Sequence, residues 1–393
     1  MNNKVYPSLE DFTITKSGVL HKLMVKLKLG GTSKKEINAR ILFIIAVTWL
    51  PLLILAALQG LVINQNIDIP FWKDFASHAR FLIVIPILIF AEISVDFHLR
   101  ELTAQFFKSG ILDKSDYNSF EVIRKKVISL ANTYWSDIII LLFIVFNLVL
   151  RLNKLESDRV SFWLFLPGKE VATLSWSGYW FGFVSMPVMQ FIMFRWIWRW
   201  IIWIIYFSKL SKLPLKLKSA HPDLAGGIGF LGFPPGPFTQ VLFALAILFA
   251  TTVAEKIFFL NQTLPTFYPV MVGFTIISVL VTLAPLLVFS KPLRMQRRKG
   301  VFDYTALIHE HHMQFDAKWL NKPHEEELPG MPDASSMADL NSSFDVVRRM
   351  RLFPFDIKIM MSSILFAIVP MLPLFAFEYN LAELLVKVLK MLA

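Results

Sequence analysis

Two carboxylates and two guanidiniums stand within apolar stretches of this chain. Glu92 and Asp96 lie four residues apart in the run 81–97, and Arg195 and Arg199 lie four apart in the run 178–207. That spacing puts each pair on one helical face, one turn apart. A charge at membrane depth is costly and faces a partner or a wet cavity. Three chemistries fit. Glu92 and Asp96 hold a cation or proton along a pathway, with Arg195 and Arg199 as counter-charges. Or the two pairs bind each other and lock two helices. Or the arginines snorkel to headgroups. All four lie near an interface rather than at mid-bilayer.

A second group follows the arginines. The loop 220–237 carries His221 and Asp223, then Gly226, Gly227 and Gly229. Residues 224–237 are uncharged and apolar, but too rich in Gly and Pro for a helix. Such a segment is a candidate re-entrant loop, allowed at membrane depth where it is buried in protein or lines water. Its glycine amides, with the lysines before it, also suit a phosphate or lipid headgroup. A tight turn feeding the next span fits equally. No Gly-Lys-Ser/Thr follows, so a Walker loop is excluded.

A third group is His309, His312 and Asp316. A zincin needs histidines at i and i+4, and four beyond His309 stands Met313, so that motif fails. His309, His312 and Asp316 share a helical face and form a weak candidate for a divalent ion. No cofactor is implied, and the absence of cysteine removes thiolate sites and Cys nucleophiles.

The elements that must carry these residues are set by composition. Hydrophobic residues make up 55% and charged residues 18%, with 37 Phe and 11 Trp. Mean hydropathy is +0.55. A soluble globule carries nearer a quarter charged residues. The chain reads as an all-α integral membrane protein with about seven transmembrane helices and additional interfacial amphipathic helices. Charge-free runs long enough to span occur at 41–63, 238–254, 267–289 and 359–377, and the apolar run 178–207 is longer than a bilayer needs and holds only Arg195 and Arg199 as charges. The runs 81–97 and 138–150 are weaker. The first contains Glu92 and Asp96, and the second is short and closed by Asp137 and Arg151. Gly178 and Gly182 form a Gly-x-x-x-Gly pair that permits close helix packing. Trp196, Trp200 and Trp203 form an aromatic face fitted to an interface.

Orientation follows from the 40 basic residues. Alternate non-spanning segments hold 29 and 9 of them, and Arg195 and Arg199 join the richer side. The richer side is read as cytoplasmic. The N-terminus then lies inside and the C-terminus outside, in a bacterial inner membrane. The net charge of +11 follows from that asymmetry and from attraction to an anionic inner leaflet, so nucleic acid is not needed as a partner.

The polar segments complete the plan. Residues 1–40 are a basic cytoplasmic segment too polar to be a cleavable signal. Within them 5–29 reads as an amphipathic helix on the membrane face or as a solvated tail. Residues 41–289 form the membrane domain. Residues 290–358 are cytoplasmic, with helices at 301–320 and 339–352 and a loose linker between. Residues 359–393 hold the last span and an amphipathic tail at 381–392.

The loop from His221 to Leu231 resembles one in a family of bacterial polytopic inner-membrane proteins. The stretch from Met337 to Arg351, followed by Phe353-Pro354-Phe355-Asp356, resembles the same family, as do the last span with Pro370 and Pro373 and the tail. The likeness runs from the fourth span to the end. It implies a bacterial inner-membrane location and carries no assigned activity and no site residues. The functional expectation is a channel or transporter for a small ion or solute. The alternatives are a membrane-anchored scaffold or sensor that binds a soluble partner through 290–358, and an intramembrane lipid-modifying enzyme at His221 and Asp223. A homo-oligomer is compatible with each.

Overall fold

The computed structural model describes residues 12–152, 162–167, 173–233, 236, 238–320 and 332–377. Seven helices are long and apolar enough to cross a membrane, and no β-strand forms among the described residues. The protein is an all-α, multi-pass membrane protein.

A short helix, α1 (Gly18–Lys26), precedes the first long one, α2 (Lys34–Leu58). Ser33 and Glu36 form a capping box that starts α2. Helix α3 (Phe75–Lys108) begins on Asp74, whose carboxylate accepts the Ser77 amide at 2.8 Å. Helix α4 (Tyr117–Ala131) is amphipathic and packs on the later helix α6. Helix α5 (Tyr134–Leu152) starts after a break at Asn132 and Thr133. Most of its side chains from Ile138 to Leu150 are exposed, which is the face a lipid-embedded helix turns outward. Helices α6 (Trp176–Leu210), α7 (Thr239–Leu260) and α8 (Tyr268–Leu287) follow. Then come two polar helices, α9 (Ser290–Trp319) and α10 (Pro332–Arg349), and the last apolar helix, α11 (Ile357–Ile368), which tightens into a 3-10 turn at Val369–Phe377.

Both weaker spans are therefore long helices. Run 81–97 lies inside α3, and run 138–150 lies inside α5. Helix α6 at 35 residues is about 52 Å long, well beyond a bilayer core.

The two helices that carry the charge pairs share a device. Each contains a π-turn just ahead of a proline: Ala79–Val84 before Pro86 in α3, and Phe181–Ser185 before Pro187 in α6. Proline lacks an amide and crowds the preceding turn, and the wider turn absorbs both.

Several expected boundaries move. Residues 12–17 are not helical and bend at 14–16, and α1 begins only at Gly18, so no continuous helix spans 5–29. Hydroxyls and amides of 13–15 bond to Asp96 instead of to a helix. Helix α9 starts eleven residues before the expected 301, because Gly300 is helical. Its missing side chain makes room for Ser219, which a Cβ would strike. Helix α10 starts at Pro332, not 339. The Gly178-x-x-x-Gly182 pair is not a helix-packing face. A Cβ on Gly178 would meet the Leu164 carbonyl in the 162–167 loop, and one on Gly182 would meet nothing within 4 Å. The tail 381–392 and most of the linker lie outside the described residues.

Candidate functional site

The intramembrane charges meet, in a different pairing from the simplest one. Glu92 on α3 stands between two arginines. Arg199 Nη2 donates to its Oε1 at 2.8 Å, and Arg40 Nη1 on α2 lies 3.0 Å from its Oε2. Arg195 goes elsewhere: its Nη1 lies 3.1 Å from Asp137 Oδ1, in the first turn of α5. The three arginines are all buried.

Among the described residues Asp96 pairs with no arginine. Its Oδ1 accepts the Ile14 and Thr15 amides at 3.2 and 3.3 Å. Its Oδ2 accepts the Thr15 hydroxyl at 2.6 Å, and the Thr13 hydroxyl as well. The N-terminal segment is thereby tied to α3. Further bonds tie it to α6. Arg199 Nη2 donates to the Thr15 carbonyl, and Arg195 Nη2 to Ser17 Oγ, both at 2.8 Å. Phe12, fully buried, meets the Tyr206 ring edge-on at 5.2 Å. Asp137 Oδ2 accepts the Val19 amide at 2.8 Å, so a carboxylate from α5 sits at the positive end of α1.

Gly18 makes this approach possible. Its φ of +86° is a left-handed value, and a Cβ there would stand 2.7 Å from the Arg195 guanidinium.

A narrow cleft opens against this cluster, with about 30 Å³ of room for the centre of a water-sized molecule. Arg40, Arg195, Arg199, Glu92 and His21 line one end. Ile44, Leu88, Ile89 and Ile192 line the other. Helix α2 runs opposite to α3 and α6, so on all three helices these apolar residues lie about one turn deeper into the bundle than the charges. Burial holds His21 below its ordinary range. Glu92 opposes the shift, and Arg40, Arg199 and Lys16 reinforce it. His21 is thus neutral near pH 7. Arg40 Nε and Arg199 Nε are buried with no hydrogen-bond partner among the described residues. Three guanidiniums thus line the cleft, while both Glu92 oxygens are engaged.

The loop after α6 is built around Asp223. Its Oδ1 accepts the Ala225 and Gly227 amides at 2.8 and 3.1 Å, and its Oδ2 accepts the Gly229 amide at 2.8 Å. His221 Nδ1 lies 2.8 Å from Asp223 Oδ1. The positive φ of Gly226 (+66°) and Gly227 (+97°) turns the chain so that these amides converge. Burial pushes the Asp223 carboxyl up, but the three amides and His221 together bring it below its usual range. The Gly227 and Gly229 amides that suit a phosphate are thus engaged by an internal carboxylate. Arg351 joins the loop to the segment before α11. Its Nη2 donates to the Asp223 carbonyl at 2.7 Å and its Nη1 to the Phe355 carbonyl at 2.9 Å.

His309, His312 and Asp316 lie on α9, and among the described residues no group of three His, Asp or Glu side chains assembles there or elsewhere.

Arg40, Asp137, Ser17 and His21 complete the site and are not singled out by sequence reasoning. Arg40 and Asp137 border the apolar runs, where a charge reads as a boundary marker. Comparison with family models, with curated proteins and with solved structures gives no match.

Proposed function

We propose that this protein is a channel or transporter for a small anionic solute in a bacterial inner membrane, with its N-terminus in the cytoplasm. The cleft at Arg40, Glu92, Arg195 and Arg199 is the solute site. The orientation is supported by the asymmetry of basic residues, and the bacterial membrane by the family resemblance. The observation that carries the solute's sign is the lining of the cleft, three guanidiniums against one carboxylate. That excess of positive charge at membrane depth is costly, and an entering anion offsets it. Glu92 and Asp96 act here as anchors for arginines and for the N-terminal segment, not as cation sites. Residues 12–17 close the cytoplasmic side of the cluster in this conformation.

Flux into proteoliposomes tests the reading, with chloride, inorganic phosphate and a small dicarboxylate against potassium. Anion flux is expected in the wild type, with a loss of about tenfold or more in Arg40→Lys, which keeps the charge but removes the planar donor fork. Potassium flux abolished by Glu92→Gln with Asp96→Asn, and unaffected by Arg40→Lys, would reverse the assignment.

A further inference from the structure

Helix α9 is packed on one side only. Helix α10 runs antiparallel along it, with Arg297 bonded to the Arg348 carbonyl at one end and His311 to Ser336 at the other. The opposite face carries Met295, Phe302, Met313 and Leu320, which are 65, 62, 59 and 71% exposed. At 100° per residue these four side chains fall within about 20° of arc, with Ala306 alongside. Successive spacings of seven, eleven and seven residues keep the stripe nearly straight over about 38 Å. Lys299, His309 and Asp316 interrupt the seam at intervening positions, and a polar helix with such a partly apolar seam is built to meet another helix.

We propose that two copies of this chain associate through this seam, α9 against α9, as a parallel two-stranded coil on an axis normal to the membrane. The geometry favours a second copy for two reasons. Copies inserted with the same orientation present α9 on the same face, and a two-fold axis parallel to α9 brings each seam against itself in register. The seam's flanks are also complementary in charge. Arg298 lies on one side and Asp303, five residues on, lies on the other, which is the spacing of cross-pairs in a parallel coil. A membrane surface fits less well. The basic run of Lys291, Arg294, Arg297, Arg298 and Lys299 is confined to the first ten residues, and beyond it the helix carries Asp303, Glu310 and Asp316. Those acids would be repelled by an anionic leaflet.

The chain has no cysteine, so disulfide mapping is unambiguous. Full-length Ala306→Cys and Met313→Cys in native membranes should form disulfide-linked dimers under mild oxidation, because seam positions of paired helices come within bridging distance. Leu307→Cys is also exposed but lies off the seam, and should cross-link at least about fivefold less. In nanodiscs the wild type should have the mass of two chains. Phe302→Glu with Met313→Glu should have the mass of one, with helix content unchanged. A wild type of one chain, or cross-linking at Leu307→Cys equal to that at Met313→Cys, overturns the proposal. So does quenching of a probe at Met313→Cys by lipid-borne quenchers, which would place α9 on the membrane instead.

Discussion

Arg195 is bound to Asp137 across α6 and α5, at 3.1 Å, with both side chains almost wholly buried. Two charges withdrawn from water attract strongly, but each alone is a heavy liability. Arg195→Gln or Asp137→Asn alone should destabilise the protein by about 3–5 kcal/mol. The double substitution leaves no uncompensated charge and should cost distinctly less than the sum. Thermal unfolding of the three variants in one detergent checks this. Strict additivity would mean the pair is not coupled.

Asp96 makes a different prediction, because its four donors all belong to residues 13–15. Asp96→Asn keeps the shape but removes the charge and half of the acceptor capacity. Hydrogen bonds to a charged group contribute roughly 1.5–3 kcal/mol. The Ile14 and Thr15 amides should therefore exchange about 10- to 100-fold faster in the variant. The α7 amides serve as the internal control and should not change. Unchanged exchange at Thr15 would show that Phe12 against Tyr206 is sufficient to hold the segment.

The fold class was legible because a bilayer imposes a length and a composition on anything that crosses it. The run at 267–289 matches α8 closely, and the run at 41–63 overlaps α2, which starts and ends several residues earlier. The site was legible only in part. The charges inside apolar runs stood out, and the Glu92–Arg199 contact is one of the pairings the spacing allowed. Arg40 and Asp137 did not stand out, because a charge at the end of an apolar run ordinarily lies in water. The bent, non-helical segment 12–17 was illegible for another reason. Its conformation is set by Asp96, some 80 residues away, and no local pattern in Phe12-Thr13-Ile14-Thr15 announces that partner. The loop at 220–237 was recognisable as irregular, but its centre on Asp223 depends on amides converging through two positive-φ glycines, which spacing alone does not specify.

Gly18 and Gly182 separate a required glycine from an incidental one. Gly18→Ala would place a methyl 2.7 Å from the Arg195 guanidinium at a backbone angle that L-residues rarely adopt. It should lower the unfolding midpoint and free α1 from the bundle, read as faster proteolysis at Lys22. Gly182→Ala meets nothing within 4 Å and lies inside a helix, so it should be neutral or slightly stabilising. A large loss at Gly182→Ala would restore that glycine as a packing contact.

Asp223 gives the loop a pH dependence whose sign is fixed by its environment. The folded carboxyl lies below its usual range because the Ala225, Gly229 and Gly227 amides and His221 outweigh the opposing effect of burial. A depressed folded value means the ionised form is favoured by folding. The contribution is then fully present above the unfolded value near 3.9, including neutral pH, and is lost as pH falls through the lower folded value. Asp223→Asn mimics the protonated group. The wild type should therefore unfold at a higher temperature than Asp223→Asn at pH 6, and the difference should shrink progressively below about pH 4. A difference that stayed constant from pH 6 to pH 3 would mean that shape rather than charge holds Ala225, Gly227 and Gly229 around Asp223. The same variant should loosen the 220–233 loop from Arg351, since that side chain donates to the Asp223 carbonyl whose position the turn sets.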